Sequence, residues 1–174
     1  ALGGVALLVL IFLILILLPA SPDQPHGGVA VGASAPDFTL SIQGGLGQGA
    51  IHLQALHGHP VVLNFWSESC QPCLSEIPYL RDIYTRYGAQ GAFTLLGVNQ
   101  ADPREDITSF GVTYKLNYPL LYDAHSAVNV AYGVTSLPMT YFLDKNGIVR
   151  YVAPLQLTPT TMQQGLQAIG VTIP

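Results

Sequence analysis

Val61-Val62-Leu63-Asn64-Phe65-Trp66-Ser67-Glu68-Ser69-Cys70-Gln71-Pro72-Cys73 is the stretch on which the fold turns. Its first six residues are mostly β-branched or aromatic, the length and make-up of a buried central strand. Both cysteines of the chain follow, two residues apart, and they open a segment from Leu74 to Tyr87 that reads as a helix. Leu74, Ile77, Leu80 and Tyr84 recur there at helical spacing, and Pro78 is expected to kink it. A helix N-terminus carries unpaired N–H groups and the positive end of the dipole, which stabilise an anion. The thiolate is the nucleophilic form of cysteine, so Cys70 is placed to react near neutral pH and the pair reads as a thiol–disulfide site.

Outward from this stretch, strands alternate with helices. Phe38-Thr39-Leu40 and Ile51-His52-Leu53 read as short strands around a Gly-rich turn, Gly44 to Gly49. Phe93 to Val98 is a second apolar strand, and a helix follows to about Tyr114 with Asp102 as N-cap and Pro103 in the first helical position. Tyr118 to Tyr122 reads as a strand and Ser126 to Tyr132 as a short helix ended by Gly133. Thr140 to Leu143 and Ile148 to Val152 flank Asp144-Lys145-Asn146-Gly147, a hairpin signal, and a helix from Pro159 to about Ile169 closes the chain. The order predicts an α/β fold, a mixed sheet covered on both faces.

At 174 residues the chain has room for one domain and an appendage. Its net charge is -4 with no basic cluster, and Arg81 is the first Lys or Arg, so no cationic surface suits a nucleic acid. Ala1 to Leu18 lacks any charge, and 18 helical residues span roughly 27 Å, near a bilayer's hydrocarbon thickness. Residues 1–20 therefore read as a transmembrane anchor. A cleaved signal is the competing reading, but bulky Leu18 makes Leu18-Pro19-Ala20 a poor cleavage site. Residues 21–35, rich in Pro, Gly and small side chains, read as a flexible tether to a domain at 36–174.

Ala35-Pro36-Asp37-Phe38-Thr39-Leu40, Leu63-Asn64-Phe65-Trp66, Cys70-Gln71-Pro72-Cys73, Glu76 with Pro78, and Leu137-Pro138-Met139-Thr140-Tyr141-Phe142-Leu143 together resemble the thioredoxin superfamily. Within it the chain resembles the membrane-anchored TlpA/ResA-like thiol–disulfide oxidoreductases, from about Val31 to Ile169. The resemblance implies a thioredoxin-like fold with an N-terminal β extension and a helix–strand insert, Asp102 to Tyr122, before the cis-proline strand. It implies that Cys70 attacks, that Cys73 resolves, and that the two form a redox-active disulfide with no bound cofactor. It makes Pro138 the cis-proline facing the cysteines, with the backbone of Leu137 open to a bound peptide. Glu76 resembles the acid–base residue of ResA-like proteins; a glutamate favoured near a helix N-terminus is the plainer alternative. Asn64 stands where thioredoxin has a buried aspartate, so the acid–base group must come from elsewhere or be water. Trp66 is expected beside the disulfide, whereas Ser69 departs from the tryptophan usual before the first cysteine.

A structural staple is a weaker reading of the pair, because closing so short a loop removes little chain entropy. Zinc needs two further ligands, and the five histidines are scattered, with His57 and His59 in a turn and His125 in a loop or helix cap. The expected function is reduction of disulfides in client proteins, such as apocytochrome c or copper-site precursors, on the extracytoplasmic side of a bacterial cytoplasmic membrane. A membrane electron donor of the thiol-reducing type would keep the protein reduced. Two alternatives are a peroxiredoxin-like peroxidase and a copper-binding chaperone. In the peroxidase loop pattern Ser67 fits but Leu63 replaces the proline; for copper, His125 is the histidine left to consider.

Overall fold

The computed structural model describes residues 28–173. The segment read as a membrane anchor and residues 21–27 of the tether lie outside them. Among the described residues no helix is long and apolar enough to cross a membrane. The strands are β1 (Thr39–Gly45), β2 (Ala50–His52), β3 (Val61–Trp66), β4 (Thr94–Gln100), β5 (Pro119–Asp123), β6 (Met139–Leu143) and β7 (Val149–Ala153). The helices are α1 (Gln71–Arg86), α2 (Arg104–Thr113), α3 (Ala127–Ala131) and α4 (Pro159–Ala168), with a 3-10 turn at Leu53–Leu56.

The strands form one mixed sheet in the order β2-β1-β5-β4-β3-β6-β7. β3, β4 and β5 run parallel, and β6 returns antiparallel to β3. All six residues of β3 are buried, and successive side chains point to opposite faces. Val62 and Trp66 join the core under α1, α2 and α4, with Leu80, Phe110 and Leu166. Val61, Leu63 and Phe65 join the other core, with Tyr132, Tyr141 and Leu53. Each large side chain taken out of water this way contributes about 1.5–3 kcal/mol, which is why β3 lies in the sheet's interior, between β4 and β6. The helix–strand insert is α2 and β5, and β5 separates β4 from the N-terminal β1–β2 hairpin.

Three local expectations change. The tether reading reached Ala35, but the chain is tied to the domain from Val29 onward. Val29 N–H donates to Tyr132 O at 3.3 Å, Gly32 N–H to Val149 O at 2.8 Å, Val149 N–H to Ala33 O at 3.0 Å and Ala35 N–H to Gly147 O at 2.9 Å. The Gly-rich turn starts later than read, because Gly44 and Gly45 remain in β1 and pair with Leu120 and Pro119. Gly45 has φ 70°, and a Cβ there would come 2.0 Å from the Tyr118 carbonyl oxygen, so backbone conformation and close approach together require glycine. Asp102 does not cap α2; its cap residue is Pro103, with no side-chain hydrogen bond. The Asp102 carboxylate turns instead toward the cysteine loop, and its Oδ2 accepts both the Glu68 N–H and Asn99 Nδ2.

Candidate active site

Three parallel strands end at one edge of the sheet, the edge where α/β proteins place their chemistry. From the end of β3 the chain turns through Ser67 to Cys70, closed by Cys70 N–H donating to Ser67 O at 3.3 Å. Cys70 is the N-cap of α1, with extended backbone at φ -86° and ψ 99°. Its Sγ accepts the Cys73 N–H at 3.2 Å, a sulfur in the role usually taken by a serine or aspartate oxygen. Pro72, in the first turn, forfeits no helical hydrogen bond. Cys70 and Cys73 are joined as a disulfide with Cα atoms 5.2 Å apart. Cys70 is half-buried, whereas Cys73 is 3% exposed, so the two sulfurs divide into an outer and an inner one.

On the same helix as the inner cysteine lies a buried carboxylate. Glu76 sits one turn beyond Cys73, is 1% exposed, and is held at both oxygens. Asn64 Nδ2 donates to Oε1 at 2.7 Å and the Leu157 N–H to Oε2 at 2.7 Å. The same Asn64 amide donates to Thr140 Oγ1 at 3.1 Å, linking β3, β6 and α1. Burial pushes the Glu76 carboxyl up to about 7, against the opposing pull of the Leu157 and Asn64 hydrogen bonds. Tyr118 is buried nearby; desolvation, with the Glu76 charge adding to it, raises its phenol above the ordinary range. A cavity of about 10 Å³, room for about one water, is lined by Asn64, Trp66, Cys73, Ile77, Phe110 and Tyr118, among others. The Trp66 ring packs on Phe110 at 4.5 Å between centroids. Its Nε1–H is buried without a hydrogen-bond partner among the described residues.

The Leu137–Pro138 bond is cis, and Pro138 is buried. Met139 pairs with Phe65, so Pro138 stands at the same sheet edge as the disulfide. Leu137, half-buried, packs against both cores. Glu68 is exposed on the rim. His57 and His59 lie at the opposite end of β3, lining a cavity of about 150 Å³ with Val61 and Asp144. His125 is exposed. Among the described residues no three His, Cys, Asp or Glu side chains converge to hold a metal ion.

The structure thus brings Cys70, Cys73, Glu76, Asn64, Trp66, Leu137 and Pro138 to one edge, and it adds residues that sequence reading missed. Thr140 carried a signal, a polar residue within an apolar strand. The Leu157 contact carried none, because the group is a backbone N–H 81 residues away from Glu76. Asn99 was not singled out, and Asp102 was given the wrong role, that of helix N-cap.

The sequence model of the AhpC/TSA family matches residues 31–152. The chain is 38% identical over 142 residues to the thiol-disulfide oxidoreductase ResA of Geobacillus thermodenitrificans, covering 81% of this chain and 79% of that protein. It is 33% identical over 140 residues to the thioredoxin-like protein YneN of Bacillus subtilis, covering 80% of each. Among solved structures, a secreted thiol-disulfide isomerase from Corynebacterium glutamicum superposes with a TM-score of 0.69 at 26% identity, covering 87% of this chain and 96% of that one.

Proposed function

The chain belongs to the AhpC/TSA family of thioredoxin-like proteins and is a thiol–disulfide oxidoreductase of the ResA type, and from that premise we propose that it reduces disulfides of extracytoplasmic client proteins, Cys70 attacking and Cys73 resolving. The observation that carries the assignment of roles is the asymmetry of the pair: an outer sulfur at the N-cap of α1 and a buried inner one, with a buried carboxylate one helical turn further on.

In the reduced protein the Cys70 thiolate attacks one sulfur of a client disulfide. A new S–S bond joins client and protein, and the client's other sulfur leaves as a thiolate. Cys73 must then lose its proton to attack Cys70 Sγ. Glu76, raised to about 7, is matched to accept that proton near neutral pH, directly or through a water. Its deep burial supports this role over that of a carboxylate placed only for the helix dipole. The Cys73 attack releases the second client thiolate and leaves the Cys70–Cys73 disulfide. Two electrons have passed to the client, and a dithiol donor at the membrane restores them. The apolar run Ala1 to Leu18 supports a membrane tether, and with it clients such as apocytochrome c or copper-site precursors.

Turnover of a disulfide substrate by wild type and by Cys73→Ser tests the two-cysteine scheme. Wild type cycles, and the variant stalls after one bond exchange. Undiminished turnover by Cys73→Ser would sink the scheme.

A further inference from the structure

We propose that Asp102 is a positioning residue for thiol–disulfide exchange, clamping the loop before Cys70 through the Glu68 backbone amide. The loop from Ser67 to Ser69 joins β3 to α1, and Glu68 and Ser69 are exposed. Its middle amide is nevertheless held: the Glu68 N–H donates to Asp102 Oδ2 at 2.7 Å. The same oxygen accepts Asn99 Nδ2 at 2.7 Å, while Asn99 Oδ1 accepts the Asp102 N–H at 2.9 Å. Asn99 is 0% exposed and is the register partner of Trp66, the last residue of β3. The clamp therefore fastens the cysteine loop to the last rung of the β3–β4 pair. Ala101, within the clamp turn, has φ 58°, a left-handed conformation that an alanine rarely adopts. That distortion accompanies a carboxylate turned away from the helix it precedes and onto the loop, where its bond to an N–H is charge-assisted.

Cys70 lies two residues beyond Glu68, at the N-cap, where its Sγ receives the Cys73 N–H. Releasing Glu68 frees the loop to shift, and sub-ångström to ångström displacements of a reacting group cost up to about 100-fold in rate. The inference rests on Cys70 being the attacking sulfur. That premise is checked separately by Cys70→Ser, which loses the fast-reacting thiol whatever Asp102 does.

The test is the alkylation rate of the reduced full chain by iodoacetamide at pH 7, with the thiolate followed by its ultraviolet absorbance and folding by circular dichroism. Asp102→Ala removes the acceptor, Asp102→Glu keeps the charge but displaces the oxygens, and Asp102→Asn keeps an oxygen in place without the charge. The clamp predicts roughly tenfold slower alkylation in Asp102→Ala and Asp102→Glu, and a rate within about twofold of wild type in Asp102→Asn. A residue serving only the stability of the β4–α2 turn lowers the melting temperature and leaves all three rates at wild type. Wild-type rates in Asp102→Ala and Asp102→Glu overturn the proposal, as does an Asp102→Asn rate as slow as that of Asp102→Ala.

Discussion

At Glu76 two effects compete, and burial wins. Desolvation disfavours the carboxylate, two hydrogen bonds favour it, and the balance lifts the carboxyl from 4.5 to about 7. The folded state therefore holds this proton more tightly than the unfolded chain. Stability falls as pH rises from about 4.5 to about 7, the reverse of the usual acid denaturation of salt-bridged carboxylates. The difference in unfolding free energy between wild type and Glu76→Gln should accordingly drop by on the order of 3 kcal/mol across that window, read from urea titrations. A pH-independent difference contradicts the burial account. Glu76→Gln should also slow the Cys73 step several-fold at neutral pH, measured as decay of the mixed disulfide, and unchanged decay removes the acid–base role. Cys70 and Cys73 were legible in the sequence because their chemistry depends on a local feature, a strand running into a helix. The partners of Glu76 were not, since Asn64, Thr140 and Leu157 meet only through the packing of β3, β6 and the loop before α4.

Among the elements, those defined by their own periodicity were readable. β3 is the strand expected from its run of apolar residues, and α1 extends the expected helix by one turn, back to the cysteine cap. What failed were boundaries decided by neighbours. Gly44 and Gly45 carry a turn signal in sequence yet stay in β1, since the Ile107 and Tyr118 carbonyl oxygens approach too closely for any Cβ. α4 shows the same constraint in a helix. It is capped by Thr158, whose Oγ1 accepts the Thr161 N–H at 3.2 Å, and it presses Gly165 against buried Phe142. A Cβ on Gly165 would lie 2.5 Å from the Phe142 ring, which is 0% exposed and has no room to retreat. Gly→Ala in an open helix stabilises by about 1 kcal/mol. Here Gly165→Ala should destabilise by about 1–3 kcal/mol through overpacking, seen as a lower melting temperature. A rise in melting temperature would show that α4 can slide off the sheet.

For the molecule as a whole, the domain begins earlier than composition suggests. Pro, Gly and small residues before Pro36 mark a tether in sequence, but Gly28 to Ala35 is stitched to α3, β7 and the hairpin before β7 by backbone bonds that no side-chain pattern encodes. A chain starting at Pro36 should be less stable than one starting at Gly28 by about 2 kcal/mol or more, given about 1 kcal/mol for a typical net hydrogen bond. Equal urea midpoints for the two would return this segment to a passive linker. The rest of the architecture serves one edge: parallel strands end there, α1 aims its N-terminus there, and cis-Pro138 enters there. The claim that joins these features is that Cys70 meets the client and Cys73 releases it. Its most direct test is the mass of the covalent adduct when reduced Cys70→Ser and Cys73→Ser are each mixed with a disulfide-bonded protein substrate. A stable mixed disulfide is expected with Cys73→Ser, mapped to Cys70, and little or none with Cys70→Ser. Equal trapping by both variants, or preferential trapping at Cys73, would contradict it.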